Sequence, residues 1–368
     1  MDIGTASAAP GELARGHLEL TDLPTGVPEK LPVIVANGEE GSAARGAGED
    51  GEGPTLWITG GVHGDEATGM AVTQDVMRED LPQRIAGAVV AVPVVNPAGL
   101  RRNARRSYYG DDDPNRKFPD PESDASRPPE VQERIDERLY EEIVGSADAL
   151  IDNHTAGVNS FPFVIRDRVL YGERRTEDEA EALADELAAL VEATGLPLLT
   201  EYPAEEYVEQ SLQRSTAGAV CNAAGIPAFT TELGGHSVVT EAPRDAGVAA
   251  AYGVMAELGM LDSWPEAVAE PGSFAAPVDF PVRRFRGPRT ETAGLVRHRV
   301  EAGDVVEAGE VVADVVSATG EQLDTVESEH DGYVIGRKEG LAAYEGDAVL
   351  SMAARDDGPL VAPRDADE

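Results

Sequence analysis

A histidine and a glutamate stand three residues apart in the glycine-rich stretch "TGGVHGDEATG", at residues 59–69. The apolar run "TLWI" precedes this stretch, and a helix-like pattern follows it. A turn between a buried strand and a helix can present His63 and Glu66 to one common ligand. Imidazole and carboxylate together favour a transition metal, which needs at least one further protein ligand.

The third ligand that the sequence offers is His154, at the end of the apolar strand pattern "DALIDNH" (148–154). Two histidines and one carboxylate, with the fourth position left to water, are typical of a catalytic zinc site. Asp152, two residues earlier on the same strand face, would orient a metal ligand without contacting the metal itself. The pattern therefore predicts one Zn²⁺ per chain. Taken singly, His63 has a simpler interpretation as a turn cap, and His154 as a hydrogen-bonded strand end.

A hydrolytic metal site also needs a general base close to the bound water. Glu232 closes the apolar strand pattern in "IPAFTTELGGH" and is followed by two glycines. We interpret Glu232 as this base, the alternative being an ordinary solvated loop glutamate. His236, the last residue of the stretch, is expected to be structural or to position a residue that binds the metal, rather than to bind the metal itself.

Positive charge is concentrated in one long polar loop. "RRNARR" contains Arg101, Arg102, Arg105 and Arg106, and "DDDPNRKF" adds Asn115 and Arg116. Guanidinium groups bind carboxylates through two parallel hydrogen bonds, so the loop predicts a carboxylate-binding pocket beside the metal. We expect some of these arginines, above all Arg101 and Arg102, to neutralise "DDD" and the acidic surroundings instead.

The elements that must position these residues are continuous apolar strands that alternate with helical patterns. The strand patterns are "LPVIVAN" (31–37), "TLWITGG" (55–61), "GAVVAVPVVN" (87–96), "DALIDNH" (148–154) and "IPAFTTEL" (226–233). This alternation predicts an α/β fold with a mainly parallel sheet and flanking helices. Sites in such sheets collect at the carboxyl ends of the strands, where the candidate ligands stand.

The residue composition and the hydrophobic pattern of the chain change after residue 262. Residues 1–262 are predicted to form the catalytic α/β domain, and the proline- and arginine-containing segment 263–289 a linker. Short valine-rich runs separated by glycines predict a small all-β domain at 290–356. This domain resembles the barrel-sandwich fold of biotinyl and lipoyl carriers, but it lacks their hairpin-tip lysine and is not expected to carry a cofactor. The tail, 357–368, is predicted to be disordered.

The composition excludes several classes of function. The formal net charge is −39, with 69 acidic and 30 basic residues. Such a charge repels nucleic acid and anionic lipid, and no apolar run is long enough for a membrane span. The acidic surface suggests a halophilic protein in high intracellular salt. The single Cys221 and an N-terminus unlike a signal peptide predict a cytoplasmic location, and the sequence leaves open whether the protein is a monomer or a homo-oligomer.

The chain resembles the succinylglutamate desuccinylase/aspartoacylase family, relatives of the zinc carboxypeptidases. The pieces that carry the resemblance, in the family's order, are "GGVHGDEATG", "NPAGLRRNARR", "DPNRKF", "DNHTAG" and "TELGG". The resemblance covers roughly residues 30–355. It implies a zinc carboxypeptidase-like fold, His63, Glu66 and His154 as zinc ligands, and Glu232 as the general base.

The resemblance also implies residues that bind the substrate. Asn115 and Arg116 correspond to the clamps for the substrate's α-carboxylate, and Arg105 to the arginine that polarises the scissile carbonyl. Here "RSYYGDDDPNR" is longer than the family pattern, so Arg106 competes with Arg105 for that role. A family tyrosine of the C-terminal β domain that reaches the site corresponds to Tyr344 in "GLAAYEGD", with Tyr333 as its rival.

The implied reaction is hydrolysis of the amide bond of a small anionic N-acyl amino acid, which releases a carboxylic acid and a free amino acid. The alternatives are a zinc metallocarboxypeptidase that trims peptide C-termini and a non-catalytic binding protein on the same scaffold. The sequence does not distinguish succinyl, acetyl and aspartyl-type substrates, nor glutamate, aspartate and diamine products. Arg166 and Arg168 are candidates for binding a side-chain carboxylate, or else they lie in a surface strand.

Overall fold

A computed structural model describes residues 1–39, 53–122, 127–261 and 263–364. The strands are β1 (Asp2–Ile3), β2 (Ala6–Ser7), β3 (Leu13–Asp22), β4 (Pro28–Asn37), β5 (Thr55–Gly60), β6 (Ala88–Val92), β7 (Ala149–Ala156), β8 (Phe163–Arg166), β9 (Val169–Tyr171), β10 (Leu198–Thr200), β11 (Ala228–Gly235), β12 (Val282–Phe285), β13 (Gly294–His298), β14 (Val305–Val306), β15 (Val311–Val316), β16 (Gln322–Glu327), β17 (Gly332–Arg337), β18 (Ala342–Ala343), β19 (Leu350–Arg355) and β20 (Val361–Pro363). The helices are α1 (Ala67–Asp75), α2 (Pro97–Leu100), α3 (Val131–Val144), α4 (Glu177–Ala193), α5 (Ala204–Glu209), α6 (Thr216–Ala219) and α7 (Glu241–Glu257).

A twelve-stranded sheet dominates the fold, in the order β14-β17-β19-β12-β10-β8-β11-β7-β5-β6-β4-β3. Its centre is as the sequence predicts, because β11, β7, β5 and β6 run parallel to one another. The prediction of a mainly parallel sheet is wrong for the whole, since β8 runs antiparallel to β11 and both outer parts are antiparallel. Periodicity does not give strand direction: a hairpin such as β3–β4 needs only a short turn, and apolar runs look alike in either direction.

The core lies on both faces of the central strands. Strands β6 and β7 are buried along almost their whole length, which explains why they read as continuous apolar runs rather than alternating ones. Helices α1 and α7 pack against each other and against this part of the sheet. The carboxyl ends of β5, β7 and β11 meet at one edge as a result, and they bring His63, His154 and Glu232 together there.

The C-terminal strands divide between two sheets. Strands β16, β15, β13 and β18 form a separate four-stranded sheet, whose valines pack in a second hydrophobic core together with residues of β14, β17 and β19. Strands β14, β17 and β19 instead extend the large sheet. The predicted linker 263–289 is not a simple connection, because β12 within it pairs with β10 on one side and β19 on the other.

The predicted disordered tail is ordered up to residue 364; residues 365–368 lie outside the described part of the chain. Strand β20 pairs in parallel with β9. The buried guanidinium of Arg168 donates to the carbonyl of Pro359 at 2.6 Å and to Asp356 Oδ2 at 3.0 Å. Arg364 pairs with Asp120 Oδ2 at 2.7 Å. The tail's polar composition concealed these partners, because they come from distant parts of the sequence.

Candidate active site

His63 and Glu66 lie in the turn between β5 and α1, and both are buried. The turn needs its glycines. Gly61 has a φ of +64°, which a side chain would strain, and a Cβ at Gly64 would meet the backbone carbon of Gly99 at 2.1 Å. This close approach seats the turn against the arginine-rich loop, where the Gly64 N–H donates to the carbonyl of Arg105.

The carboxylate of Glu66 lies between two imidazoles. Its Oε1 is 2.6 Å from His63 Nδ1, and its Oε2 is 2.8 Å from His154 Nδ1. Among the residues that the structure describes, these three form a cluster whose candidate ligand atoms all lie within 4.8 Å of one another. Burial would raise the pKa of Glu66, but the two histidines hold it well below its usual range. The carboxylate is therefore ionised and available as a ligand.

The outer nitrogens of both imidazoles are held by carboxylates. His63 Nε2 lies 2.9 Å from Asp113 Oδ1, and His154 Nε2 lies 2.8 Å from Asp152 Oδ2. Asp152 is fully buried and also accepts a hydrogen bond from Thr59 Oγ1 at 2.7 Å. When each Nε2 donates its proton outward, each Nδ1 keeps a lone pair that points inward.

These inward lone pairs fit a cation. His63 Nδ1 is buried and has no hydrogen-bond partner among the described residues, although Glu66 lies only 2.6 Å away. Two imidazole lone pairs and one carboxylate that converge in a buried space repel one another unless a positive charge lies between them. Nitrogen and oxygen donors of this kind suit a divalent transition metal. The predicted ligands His63, Glu66 and His154 thus come together as a set that could bind a metal.

Glu232 stands directly beside this cluster, because it is the register partner of His154 in the β11–β7 pair. Burial raises the pKa of Glu232, and the nearby Glu66 carboxylate raises it further, against the opposing effect of His154. A carboxyl group with a raised pKa, next to a candidate metal site, can take up and return a proton.

The two arginines that competed for the role at the scissile carbonyl differ in their surroundings. Arg105 Nη1 is 3.0 Å from Glu66 Oε1, and its Nη2 is 3.0 Å from Asp113 Oδ2, so its guanidinium lies against the His63–Glu66–His154 cluster. Both residues are exposed, but Arg106 donates to the backbone carbonyl of Asp111 rather than to a residue of the cluster. The structure therefore brings Arg105 to the cluster and leaves Arg106 at the rim of the adjoining groove.

Asn115 and Arg116 line a narrow pocket together with His63, His154 and Glu232. Asn115 Oδ1 accepts hydrogen bonds from the Thr216 N–H at 2.8 Å and from its hydroxyl at 3.1 Å, which fix the side chain. Arg116 donates only to backbone carbonyls, those of Asn115 and Gln210. Within the described residues Arg116 forms no ion pair, which leaves its positive charge for a ligand.

Other predictions on the polar residues met different outcomes. Arg101 binds Glu29 through two hydrogen bonds of 3.0 Å, as a structural ion pair, which is the neutralising role expected for it. Arg168 binds the C-terminal tail rather than a ligand, and Arg166 donates to Thr200 Oγ1 at 3.2 Å.

Tyr344 does not reach the site. Its side chain is 75% exposed in the turn after β18, because this strand belongs to the separate four-stranded sheet. Its rival Tyr333 is fully buried in β17, where its ring packs against Phe161, and its hydroxyl has no partner among the described residues. Neither tyrosine lines the pocket that contains Arg116.

The sequence analysis did not predict three charged residues that line the pocket, namely Asp167, Glu201 and Arg284. Asp167 follows β8, Glu201 follows β10, and Arg284 lies in β12. The run "RRFR" at 283–286 was a signal, since it concentrates positive charge in an acidic chain, but it lies in the segment predicted to be a linker. Asp167 and Glu201 could not be recognised as site residues, because acidic residues are common throughout this sequence.

The fold and the site define an α/β protein with a candidate metal centre at a sheet edge and a carboxyl group beside it. The chain belongs to the succinylglutamate desuccinylase/aspartoacylase family, whose catalytic-domain model matches residues 52–258. None of the described helices is long and apolar enough to cross a membrane.

Several relatives share most of the chain. It is 26% identical over 309 residues to the N-α-acetyl-L-2,4-diaminobutyric acid deacetylase of Halomonas elongata, covering 82% of this chain and 83% of that protein. The succinylglutamate desuccinylase/aspartoacylase structure from Rhodobacter sphaeroides has a TM-score of 0.71 at 23% identity and covers 97% of this chain and 98% of that one. The product-bound ectoine utilization protein EutE (DoeB) from Ruegeria pomeroyi has a TM-score of 0.72 at 20% identity, with coverage of 95% and 98%. These structures share the fold with this chain.

Proposed function

We propose that the protein is a zinc-dependent hydrolase that cleaves the amide bond of N-acyl amino acids and releases a carboxylic acid and a free amino acid. The observation that carries this proposal is the buried His63–Glu66–His154 cluster, with Glu232 next to it on the neighbouring strand. The family membership and the name of the Halomonas relative support a deacylase.

His63, Glu66 and His154 would hold the zinc ion through two Nδ1 nitrogens and one carboxylate. Zinc bound by such a set lowers the pKa of a water molecule and polarises a carbonyl group. Asp113 and Asp152 would keep both imidazoles in the orientation and protonation state that this role needs.

Glu232 would move the proton. Its carboxylate takes a proton from the attacking water as the water oxygen bonds to the amide carbon, and the carbonyl electron pair moves onto oxygen. The protonated Glu232 then gives the same proton to the leaving nitrogen as the carbon–nitrogen bond breaks. Arg105 lies against the cluster and would donate to the developing oxyanion, where one good donor is typically worth about 3 kcal/mol.

Arg116 and Asn115 would hold the substrate's α-carboxylate. Arg116 has no acidic partner in the described residues, and Asn115 is fixed by Thr216 in the same pocket. A single amino acid as the leaving group agrees with the name of the Halomonas relative, a deacetylase of an N-acetylated amino acid. A metallocarboxypeptidase would use the same parts, but β17 and β19 extend the large sheet beside the site, and their Ile335 and Ser351 line its groove. These residues favour a small substrate over a peptide.

The test is the variant Glu232→Gln, assayed by release of free amine. Protein purified in high salt would be offered N-acetyl, N-succinyl and N-formyl amino acids and short peptides. We expect wild type to bind one zinc and cleave N-acyl amino acids, and Glu232→Gln to keep the zinc while losing nearly all turnover, because the proton acceptor is gone. Glu186→Gln, on the exposed face of α4, is the matched control. Wild-type rates in Glu232→Gln would refute the role of Glu232, and peptide trimming alone would assign a carboxypeptidase.

A further inference from the structure

Most charges that face the narrow pocket are neutralised within the protein. Arg284 Nη1 donates to Glu201 Oε1 at 2.8 Å, so these two charges satisfy each other. Arg105 is engaged by Glu66 and Asp113. Three lining groups remain without a partner of opposite charge in the described residues, namely Arg116, Glu232 and Asp167.

The proposed function accounts for two of these three groups. Arg116 would bind the α-carboxylate, and Glu232 would move the proton. Asp167 is left over, although its side chain is 97% buried, and burying a carboxyl group without a role is costly. Tyr207 Oη donates to Asp167 Oδ1 at 2.8 Å, and within the described residues Oδ2 accepts no hydrogen bond.

The position of Asp167 separates it from the scissile bond. Ile165 of β8 pairs with Thr230 of β11, and both line the pocket between Glu232 and Asp167. Glu232 lies two residues from Thr230, and Asp167 lies two residues from Ile165. At about 3.3 Å per residue, these four residues of strand place Asp167 about 13 Å along the sheet from Glu232, measured on the backbone. The side chain of Asp167 therefore lies at the far end of the pocket, beyond the reach of the leaving nitrogen.

The pocket is also small. Its volume is about 40 Å³, and it opens towards a wider groove of about 510 Å³ that shares Arg105, Glu232 and Arg284 with it. A water-sized group needs about 10–15 Å³ of such space, so the narrow pocket holds about three. It suits a short side chain rather than a long one.

We propose that Asp167 selects the substrate: its free Oδ2 accepts hydrogen bonds from an amine at the end of a short side chain on the amino acid that is released. This proposal rests on the proposed function, which places the amino-acid part of the substrate in this pocket. A second carboxylate on that side chain would instead lie near Glu201, and among the described lining residues it would find no unpaired guanidinium, because Arg116 would hold the α-carboxylate and Arg284 is paired with Glu201.

The protonation of Asp167 agrees with this role. Burial and the nearby Glu201 raise the pKa of Asp167 to about 8, against the opposing effects of Tyr207 and Arg116. Without a ligand beside it, the carboxyl group is therefore mainly protonated at neutral pH. An ammonium group beside it favours the ionised form, so binding of an amine ligand at pH 7 releases a proton. A carboxylate ligand favours the protonated form and releases none.

The first experiment compares three substrates with wild-type enzyme. N-acetyl-2,4-diaminobutyrate and N-acetylnorvaline have the same number of side-chain heavy atoms and differ in the terminal amine, while N-acetylaspartate ends in a carboxylate. We expect kcat/KM for the amine to exceed that for norvaline by about 10–100-fold, with aspartate the poorest. A wild-type enzyme that prefers N-acetylaspartate or treats all three alike overturns the proposal.

The second experiment uses Asp167→Asn, which keeps an oxygen for the Tyr207 hydrogen bond, with the exposed Asp185→Asn as control. We expect the variant to lose the preference for the amine, so that kcat/KM for N-acetyl-2,4-diaminobutyrate falls to within about threefold of that for N-acetylnorvaline. The control should keep the wild-type preference. An unchanged preference in a folded Asp167→Asn protein refutes the role of Asp167.

Calorimetry with free amino acids separates this proposal from the proposed function. Zinc-loaded wild type would be titrated at pH 7 with 2,4-diaminobutyrate, norvaline and aspartate in two buffers of different ionisation enthalpy. Selective, proton-releasing binding of the diamine without cleavage of any N-acyl compound would sink the deacylase and keep the pocket assignment. Cleavage of N-acyl amino acids without selective binding of 2,4-diaminobutyrate would support the deacylase and refute the assignment of the pocket.

Discussion

Asp152 provides a direct test of how the candidate metal centre is held. Its Oδ2 lies 2.8 Å from His154 Nε2, and its side chain is fully buried, so water cannot replace it. In Asp152→Asn the amide can turn its NH₂ group towards the ring. The imidazole would then carry its proton on Nδ1, the nitrogen that faces Glu66, and could not ligate zinc.

The structure supplies a matched comparison. Asp113 plays the same part for His63 at 2.9 Å, but its side chain is 26% exposed, so water can substitute for it. Loss of such a supporting carboxylate typically weakens metal affinity 10–100-fold, which is about 1.4–2.7 kcal/mol. We expect Asp152→Asn to fall in this range and Asp113→Asn to lose less than about tenfold, because the exposed position is buffered by solvent.

The assay is competition for zinc with a chromophoric chelator at fixed pH and salt, on protein whose fold is checked by circular dichroism. A dissociation constant for Asp152→Asn within about twofold of wild type would refute the reasoning that this carboxylate sets the protonation of His154. Equal losses of zinc affinity in Asp152→Asn and Asp113→Asn would refute the expectation that the buried carboxylate matters more than the exposed one.

Two further predictions concern the C-terminal region. Asp356→Asn leaves the buried Arg168 charge without its counter-ion and should destabilise the fold by about 3 kcal/mol, which lowers the melting point by about 4 °C. Asp75→Asn breaks the more exposed 2.9 Å pair with Arg244 and should lower the melting point by about 1 °C or less. Thermal unfolding in matched salt measures both shifts, and equal shifts would contradict the argument that burial makes the Arg168 pair more important. Tyr344→Phe should leave kcat/KM within about twofold of wild type, because the side chain is 75% exposed and absent from the pocket lining; a tenfold loss in steady-state kinetics would show that Tyr344 reaches the site.

The sequence by itself predicted the parts of the site that are local. His63 and Glu66 share one turn, and His154 and Glu232 each end an apolar strand, so short-range pattern and the rule that strand ends meet at one edge brought all four together. The composition fixed the acidic character of the chain in the same way, since net charge needs no folding to be read.

Strand direction and the place of the C-terminal segments were decided by tertiary structure. Nothing in "PVRRF" distinguishes a linker from β12, because the partners of this strand, β10 and β19, lie far away in the sequence. The tail was likewise misread. Three residues of β20 and two buried arginine contacts order it, and their partners are around 190 and 240 residues away.

Which charges remain free was also decided only by the fold. In the sequence Arg105, Arg116 and Arg284 are equivalent cations, and Asp167 and Glu201 are two acids among 69. Folding pairs Arg284 with Glu201 and Arg105 with Glu66, and among the described residues it leaves the charge of Arg116 and the carboxyl group of Asp167 facing the pocket. The interaction between two charges depends on their distance in space and on the exclusion of water, and neither quantity is encoded in their spacing along the chain.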